Sequence, residues 1–400
     1  MMPSQDQLIP LESLVDLQTT KAAGPKDPAR PYVGLEHIAT ESSTLLGSHP
    51  SSYSDGVNCV FEVNDILFGK LRPNLRKCVL APFDGYCSTD ILVLRAKEGT
   101  NCRYAARVLQ SEQLFRAAVA TAAGTKMPRT SWSDLKRVKA VTARTVEEQR
   151  RIATILDLVD AAIERTQPLI AKLHQVRSGL LADLVTDGIG MARTAPLVSR
   201  AAIRFSSVNK LTEHGEMPVR LCNYTDVYKN TYILSYMPFM RATASAAEVA
   251  RFGLRVGDVI ITKDSETPDD IGVPAVVDST APDIVCGYHL ALIRPDLKSL
   301  DPLFLAMQLK HTRLARYFGR QASGSTRYGL STRSIEQAPI LKLPVYEQKR
   351  RSDVLREHDR AAAQVRLEAG KLRAIKAGLM SDLLSGQVRV SACLKTAEVR

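Results

Sequence analysis

Two regions of the chain alternate short apolar runs with turn-forming residues, and each is followed by a long stretch with apolar residues at helical spacing. The β-like runs include residues 59–63, 91–94, 259–262 and 290–293, and Pro, Gly, Ser and Asp interrupt them. Helical patches at 103–123 and 302–320 come late in each region. The pattern predicts an α+β fold with two globular domains, over residues 1–145 and 189–344, and a long helix after each.

The second half of the chain repeats the order of the first. Glu148-Gln149-Arg150-Arg151 returns as Glu347-Gln348-Lys349-Arg350, and Gly124-Thr125 returns as Gly324-Ser325. The runs DILFGK (65–70) and CSTDILVLR (87–95) likewise match DVIITK (258–263) and CGYHLALIR (286–294). A period of half the chain indicates duplicated domains, because solenoid repeats are far shorter.

The two long helical stretches share one heptad register. The first places these residues at the seam: Leu156, Val159, Ile163, Thr166, Ile170, Leu173, Arg177, Leu180 and Leu184. The second places these: Leu355, His358, Ala362, Val365, Ala369, Leu372, Lys376, Leu379 and Leu383. Repeats sustained over four or more heptads predict an antiparallel coiled coil of two spacer helices, over 146–188 and 345–386, with a tail at 387–400.

Three residues modify this prediction for the helices. Gly188 and Gly386 are expected to terminate them, since glycine readily adopts the left-handed conformation after a helix. Pro168 lies inside the first pattern, where proline removes a hydrogen bond and clashes with the preceding turn. We therefore expect a kink or a short break near residues 165–168.

Charge and composition narrow the class of protein. A net charge of +12 and a pI near 9.4 favour a polyanionic partner. No apolar stretch approaches 18 residues and no secretory signal opens the chain, so we expect a soluble cytoplasmic protein. The seven cysteines have no CxxC or Cys/His spacing, which predicts neither a disulfide framework nor a metal site.

Motifs for catalysis are missing from the sequence. It contains no phosphate-binding P-loop, no HExxH and no Asn/Asp-Pro-Pro-Tyr/Phe motif of an amino-methyltransferase. Glu347 and Lys349, with Asp283 upstream, have the E-x-K spacing of a nuclease, which leaves open a weak hypothesis that the chain cleaves DNA itself. The alternative is that Glu347 is a helix N-terminal acid, favoured by the helix dipole. We predict no catalytic residue.

Several segments resemble the motifs of specificity subunits of type I restriction-modification systems. They are PYVGLEHI (31–38), DILFGKLRP (65–73), GTKMPR (124–129), the helix start EQRRI (148–152) and the helix end GLLADLVTDG (179–188). The resemblance covers about residues 8–388 in the family's order of recognition domain, helix, recognition domain, helix. No single motif is decisive, but their order and duplication together are specific.

The resemblance implies a non-catalytic DNA-recognition subunit. Each globular domain would be a target recognition domain that reads one half of a bipartite, asymmetric site in double-stranded DNA, and the helices would set the gap between the halves. Methyltransferase (modification) subunits, which carry S-adenosylmethionine, would methylate adenine. Restriction subunits, which use ATP and Mg, would cleave unmethylated DNA. No cofactor is expected in this chain.

Basic residues in loops are the candidate DNA contacts, because arginine can bond guanine edges and lysine acts as a point charge on phosphates. In the first domain they are Lys70, Arg72, Arg76, Lys126 and Arg129. In the second domain they are Lys263, Arg320, Arg327, Tyr328 and Arg333. The second domain lacks the KMPR run and has KDSE in place of KLRP, so its contacts cannot be carried over from the first. Tyr328 could stack on a base or pack internally.

One alternative from another class stays open. A coiled-coil scaffold whose twin domains bind protein partners would have the same domain plan. That reading predicts no salt-dependent binding to DNA, whereas phosphate contacts make binding fall steeply with salt.

Overall fold

The structure is a computed structural model that describes residues 8–24, 26–141, 143, 145–186 and 193–390. The chain divides into two compact units, one formed by Met1–Pro168 with Arg366–Arg400 and the other by Leu169–Val365. Each unit contains a globular α+β part and one portion of each long helix. The predicted fold class is therefore confirmed, while the predicted domain limits stay a prediction.

Among its described residues, the first unit contains ten short strands and three short α-helices before the first long helix, whose residues after Pro168 belong to the second unit. The strands are β1 (Leu8–Pro10), β2 (Val15–Gln18), β3 (Lys21–Ala22), β4 (Tyr32–Val33), β5 (Asn58–Phe61), β6 (Ile66–Gly69), β7 (Cys78–Leu80), β8 (Gly85–Cys87), β9 (Ile91–Ala96) and β10 (Lys139–Val141). The helices are α1 (Cys102–Leu109), α2 (Glu112–Ala120), α3 (Trp132–Leu135) and α4 (Val146–Thr186). The strands form two four-stranded sheets, β2-β9-β6-β7 and β3-β5-β8-β4, and the pair β1-β10.

Strands β6 and β9 are buried on both faces, which explains their continuous apolar sequences. Ile66 and Phe68 pack on one face with α1, α2 and the start of α4, whereas Leu67 packs on the other face with the β5-β8 sheet. A carboxylate anchors this layer: Asp65, 1 % exposed, accepts hydrogen bonds from Arg95 Nε at 2.7 Å and Nη2 at 2.9 Å.

The second unit repeats this plan with more strands. The strands are β11 (Thr194–Pro196), β12 (Ala201–Phe205), β13 (Met217–Cys222), β14 (Tyr232–Ile233), β15 (Met240–Ala244), β16 (Val259–Thr262), β17 (Asp264–Ser265), β18 (Pro274–Val277), β19 (Ile284–Cys286), β20 (Leu290–Pro295), β21 (Tyr328–Gly329) and β22 (Pro339–Leu341). The helices are α5 (Tyr224–Lys229), α6 (Ala246–Phe252), α7 (Pro302–Lys310), α8 (Thr312–Gln321), α9 (Thr332–Glu336) and α10 (Val345–Leu384).

The sheets of the second unit match those of the first at the repeated motifs. They are β12-β20-β16-β18-β14, β15-β13-β19, β11-β22 and β17-β21. Asp258, 1 % exposed, accepts from Arg294 Nε and Nη2, both at 2.7 Å, as Asp65 accepts from Arg95. The duplication in the sequence is thus a duplication of structure.

The portions of α4 and α10 pair antiparallel within each unit. In the first unit, Asp160 meets Lys376 at 2.5 Å, and Leu383 near the end of α10 lies in one hydrophobic cluster with Ile152 near the start of α4. In the second unit, Arg177 Nε meets Asp359 at 2.7 Å and Arg351 donates to the Leu184 carbonyl at 2.6 Å. All eighteen predicted seam residues are buried or half-buried. The coiled-coil prediction and its register are confirmed.

The predicted short break near Pro168 is wrong, because α4 runs through it as one helix of 41 residues. The kink, the other expectation for this position, stays a prediction. Pro168 lies on the exposed face, where water can hydrate the carbonyl of Glu164 that its missing N–H leaves unbonded. The Thr166 hydroxyl donates to the Ile163 carbonyl at 2.6 Å, so this carbonyl of the same turn accepts a side-chain hydrogen bond.

The helix ends agree with the glycine prediction where the structure describes them. Gly386 follows α10 with φ of +72°, the left-handed conformation of a terminating glycine. Gly188 lies outside the described residues. In the described part of the chain, no helix is both long enough and apolar enough to cross a membrane.

Candidate nucleic-acid interface

Two loops that carry four of the five basic candidates lie side by side in the first unit. The segment after β6 pairs with the hairpin at 123–129: the Arg72 amide donates to the Pro128 carbonyl at 2.7 Å, and the Thr130 amide donates to the Lys70 carbonyl at 3.1 Å. The Arg72 guanidinium lies 3.5 Å from the Lys126 carbonyl. The backbone pairing therefore brings Lys70, Arg72, Lys126 and Arg129 together, although 54 residues separate Arg72 from Lys126.

The local backbone explains why these loops project. Arg72 and Arg76 both adopt left-handed conformations, with φ of 50° and 51°, on either side of a short turn that begins at Pro73. Gly124, with φ of +105°, opens the hairpin that Ala123 and Arg129 close through two hydrogen bonds of 2.9 Å. These turns hold Arg72 and Lys126 exposed at the tips of the loops.

The five basic candidates of this unit differ in their acidic partners. Arg129 forms a bidentate pair with Asp90 at 2.8 and 3.2 Å, and this hydrogen bonding raises the pKa of Arg129. Arg76 Nη1 contacts Glu112 at 2.5 Å. Among the described residues, no ion pair engages Lys70, Arg72 or Lys126, so these three keep uncompensated positive charge. We name Lys70, Arg72 and Lys126 the first basic loop cluster.

The second unit has the same loop pairing with different side chains. β17 pairs with β21, which places Ser265 opposite Tyr328 and Asp264 opposite Gly329, and the Leu330 amide donates to the Lys263 carbonyl at 2.9 Å. The Lys263 ammonium lies 5.0 Å from the centre of the Phe205 ring. The pairing brings Lys263, Arg327 and Tyr328 into one loop region.

The side chains of this second loop region are divided between surface and interior. Arg327 is exposed in the hairpin, and Arg320 and Arg333 are exposed in the helices α8 and α9 that flank it in sequence. Tyr328 is half-buried and packs against the core of the unit. The hydrophobic contacts account for the position of Tyr328 in the fold, and the three arginines give the region its positive charge.

The polar pair at the base of each loop region was not predicted from the sequence. Asp90, which holds Arg129, corresponds in the repeat to His289, whose Nδ1 lies 2.6 Å from Asp264 Oδ2. The two backbones agree at this point, since the Lys70 amide donates to the Asp90 carbonyl and the Lys263 amide donates to the His289 carbonyl. The match of CSTDILVLR (87–95) with CGYHLALIR (286–294) contains this exchange of an acid for a histidine, but the sequence does not show what either residue contacts.

Two glutamines at matching positions of the internal repeat, Gln149 and Gln348, have structural roles. Gln149 Oε1 accepts from the Asn101 amide at 2.8 Å, and Gln348 Oε1 accepts from the Asp301 amide at 2.9 Å. Both glutamines are buried at the start of a long helix. They fasten each helix start to the globular part that precedes it.

The two acids of the nuclease hypothesis, Glu347 and Asp283, are engaged in ion pairs. Glu347 contacts Arg350 and Arg351, both at 2.9 Å, and these hydrogen bonds lower the pKa of Glu347 to about 2. Asp283 forms a bidentate pair with Arg220 at 2.7 and 2.8 Å. Both acids therefore have structural partners. Glu347 also lies in the first turn of α10, where the helix N-terminal interpretation places it.

One group of possible metal ligands lies in the described part of the first unit. Glu36, His37 and His49 have ligand atoms within 4.8 Å of one another. The Gly34 amide donates to His37 Nδ1 at 2.9 Å, which places the proton of the neutral ring on Nε2. Burial lowers the pKa of His37, and His49 stacks on Tyr53 with ring centres 3.9 Å apart. A hydrogen bond and a ring contact thus hold the two histidines in place.

Comparison with known proteins confirms the resemblance to specificity subunits. The chain is 21 % identical over 155 residues to the protein described as the specificity subunit of the type I restriction enzyme MjaX of Methanocaldococcus jannaschii, which covers 38 % of this chain and 36 % of the relative. It is 24 % identical over 170 residues to the type I restriction enzyme EcoDI specificity subunit of Escherichia coli, which covers 41 % and 38 %. The matches thus span little more than a third of these curated relatives. No family model matches the chain.

The fold extends the likeness over almost the whole chain. The S subunit of a type I restriction-modification system from M. genitalium aligns with a TM-score of 0.60 at 15 % identity, covering 94 % of this chain and 96 % of that one. A chain from a structure concerned with complex assembly and conformational transition of the type I R-M system aligns with a TM-score of 0.57 at 16 % identity, covering 96 % and 98 %. At these identities the likeness establishes the shared fold.

Proposed function

We propose that this protein is the DNA sequence-specificity subunit of a type I restriction-modification complex. Each unit reads one half of a bipartite, asymmetric site in double-stranded DNA, and partner subunits methylate adenine or cleave. The observation that carries the proposal is the duplicated loop region, which lies at the same place in both units and carries basic side chains. The sequence likeness to two specificity subunits supports it.

The chemistry of the loops supports contact with phosphates and bases. The first basic loop cluster holds three cations without acidic partners among the described residues, and Arg72 and Lys126 are exposed. Phosphate contacts of this kind position a protein on the duplex, and an arginine fork in a groove can read guanine. The two loop regions differ in sequence and in polar pairs, which suits unequal half-sites.

The chain itself is proposed to be non-catalytic. Glu347 and Asp283 are held by arginines, as described above, so neither offers a free carboxylate for a metal-dependent nuclease. S-adenosylmethionine, ATP and Mg belong to the proposed methyltransferase and restriction subunits. These subunits would cover apolar side chains that stand exposed on the long helices, such as Leu158 and Tyr346.

The salt dependence of DNA binding tests this function. Each phosphate contact contributes about 0.9 to the slope of log K against log salt concentration. The double variant Arg72→Ala/Lys126→Ala, in complex with the methyltransferase subunits, is expected to reduce that slope by roughly 2. Fluorescence anisotropy over a series of salt concentrations measures the slope.

A matched variant distinguishes the effect of charge at the loop from the effect of the net charge of the chain. Lys371→Ala/Arg373→Ala removes the same two charges from exposed positions on α10 and is expected to leave the slope unchanged. An equal effect of both variants would contradict a dedicated loop interface. The absence of salt-dependent binding to duplex DNA would instead favour the protein-binding scaffold.

A further inference from the structure

Two cysteines of the first unit face each other across neighbouring strands. Cys59 in β5 and Cys87 in β8 are direct partners in an antiparallel ladder, so their side chains lie on the same face of the sheet. Cys87 is fully buried in the cluster that contains Phe61 and Val79, and Cys59 packs against that cluster while half-buried. Cys59 is therefore the partly exposed member of the pair, and Cys87 is its buried neighbour on the adjacent strand.

The backbone pairing fixes the spacing of the two thiols. The Val60 amide donates to the Thr20 carbonyl on the β3 side, so the backbone groups of Cys59 point the other way, toward β8. A directly opposed pair of this hydrogen-bonded type has its Cα atoms about 5.5 Å apart. That Cα–Cα distance is within the 4.4–6.8 Å range of disulfides. The Cβ atoms of opposed residues, however, are about 4.5–5.5 Å apart, which is at or beyond the upper end of the Cβ–Cβ distances of relaxed disulfides.

The electrostatic surroundings assign different roles to the two thiols. Hydrogen bonding with Cys87 lowers the pKa of Cys59 to about 7. The positive charges of Lys21 and Lys70 also lower this pKa, whereas burial raises it. The hydrogen bond with Cys59 and burial raise the pKa of Cys87. Cys59 is also the more exposed of the two, so it is the nucleophile of the pair, since the thiolate is the reactive form.

We propose that Cys59 and Cys87 are a redox-reactive pair that forms a reversible intramolecular disulfide with a hydroperoxide as oxidant. The Cys59 thiolate attacks a peroxide oxygen and breaks the O–O bond, which gives a sulfenic acid and, with hydrogen peroxide, hydroxide that takes up a proton to become water. The Cys87 sulfur then attacks the Cys59 sulfur; the S–S bond forms, the S–O bond breaks, and the released hydroxide takes the Cys87 proton as water. Two thiols lose two electrons and one peroxide gains them.

The spacing makes this bridge easy to open again. A disulfide forced onto a wider pair stores strain and is more readily reduced than a relaxed one. A dithiol such as dithiothreitol returns both residues to thiols by exchange and becomes the oxidised partner itself. The pair therefore cycles instead of acting as a permanent structural link.

The second unit contains a corresponding pair of cysteines whose surroundings disfavour oxidation. Cys286, the repeat partner of Cys87, lies opposite Cys222 in the parallel ladder of β13 and β19. Both are fully buried, and burial raises the pKa of each. Neither sulfur is both accessible and ionised, so this pair is expected to stay reduced under the same oxidant.

Peptide mapping under non-reducing conditions tests the proposal on the full-length chain. After brief treatment with a small molar excess of hydrogen peroxide and alkylation of free thiols, the Cys59 and Cys87 peptides are expected as one cross-linked species that has lost two hydrogen atoms. Dithiothreitol should restore both peptides to the free form. The Cys222 and Cys286 peptides should be recovered separately, each alkylated as a thiol after unfolding.

Variants distinguish the paired reaction from ordinary oxidation. Cys59→Ser is expected to leave Cys87 reduced, and Cys87→Ser is expected to leave Cys59 as sulfenic acid that a dimedone probe captures. Oxidation of Cys59 beyond sulfenic acid in the unaltered chain, with Cys87 still free, would overturn the proposal. So would a Cys222–Cys286 cross-link formed as fast as the Cys59–Cys87 one. These readouts involve no DNA and do not depend on the proposed function.

Discussion

Asp160 is the residue at which the long helices and the globular part of the first unit are tied together. Its carboxylate contacts Arg107 Nη1 and Lys376 Nζ, both at 2.5 Å, and accepts from the Ser43 hydroxyl at 2.8 Å. Arg107 is 6 % exposed. Replacing Asp160 with alanine therefore leaves two cations near the interior with one acid fewer.

The loss of stability in Asp160→Ala depends on the interactions that Arg107 and Lys376 retain. Removing one partner of a buried ion pair costs about 3–5 kcal/mol. Arg107 retains Asp157 at 2.6 Å, and Lys376 has a long side chain that can turn toward water, so we expect the lower end, about 3 kcal/mol. In a unit of ~200 residues this corresponds to roughly 6–12 °C in Tm. Differential scanning calorimetry of Asp160→Ala measures it.

An exposed ion pair on α10 supplies the control. Glu357 contacts Arg360 at 3.4 Å with both side chains about 70 % exposed or more, so Glu357→Ala should change the free energy of unfolding by less than about 0.5 kcal/mol. If Asp160→Ala were no more destabilising than Glu357→Ala, the idea that this carboxylate ties the helices to the globular part would be refuted.

The pH dependence gives a second measure of the same carboxylate. Burial opposes ionisation of Asp160, but the Arg107 and Lys376 charges hold its pKa below the ordinary value. Its contribution is therefore fully present above the unfolded-state pKa of about 3.9 and is lost as pH falls through the lower folded-state pKa. The stability difference between the unaltered chain and Asp160→Ala should be constant near neutral pH and shrink in acid.

Two further substitutions test the helices. Gln348→Ala leaves the Asp301 amide and the Ser299 and Leu343 carbonyls without their buried hydrogen-bond partner. It should therefore lower the free energy of unfolding, measured in urea, by about 2–4 kcal/mol. Gln337→Ala, at an exposed position, should change this free energy little. Gly179→Ala should raise Tm through about 0.5–1 kcal/mol of added stability, because a Cβ on this helical glycine meets no atom within 4 Å; a loss of stability there would contradict the assigned helix.

The periodic features of the molecule could be predicted from the sequence. The heptad register placed all eighteen seam residues correctly, because burial in a helix pair follows a fixed spacing. The duplication identified the equivalent strands β6 and β16. The aspartate that precedes each strand forms an ion pair with an equivalent arginine. These features depend on local pattern and on comparison of the chain with itself.

Features that depend on distant pairing could not be predicted. Nothing local to Arg76 reveals Glu112 as its partner, and nothing local to Arg72 reveals that Pro128 lies beside it. The break expected at Pro168 was wrong because contacts on both sides of the proline, such as Asp160 with Lys376, hold the helix where propensity alone would interrupt it. Tertiary contacts outweighed the local rule.

Selection from a library of random duplexes tests the central claim most directly. The full-length chain with its methyltransferase subunits is incubated with the library at physiological salt, and the bound DNA is sequenced. The account predicts enrichment of a two-part sequence with a fixed gap, in which changes to the hairpin at 123–129 alter one half and leave the other unchanged. Bound DNA with no preferred sequence, or a single uninterrupted motif indifferent to those changes, would contradict it.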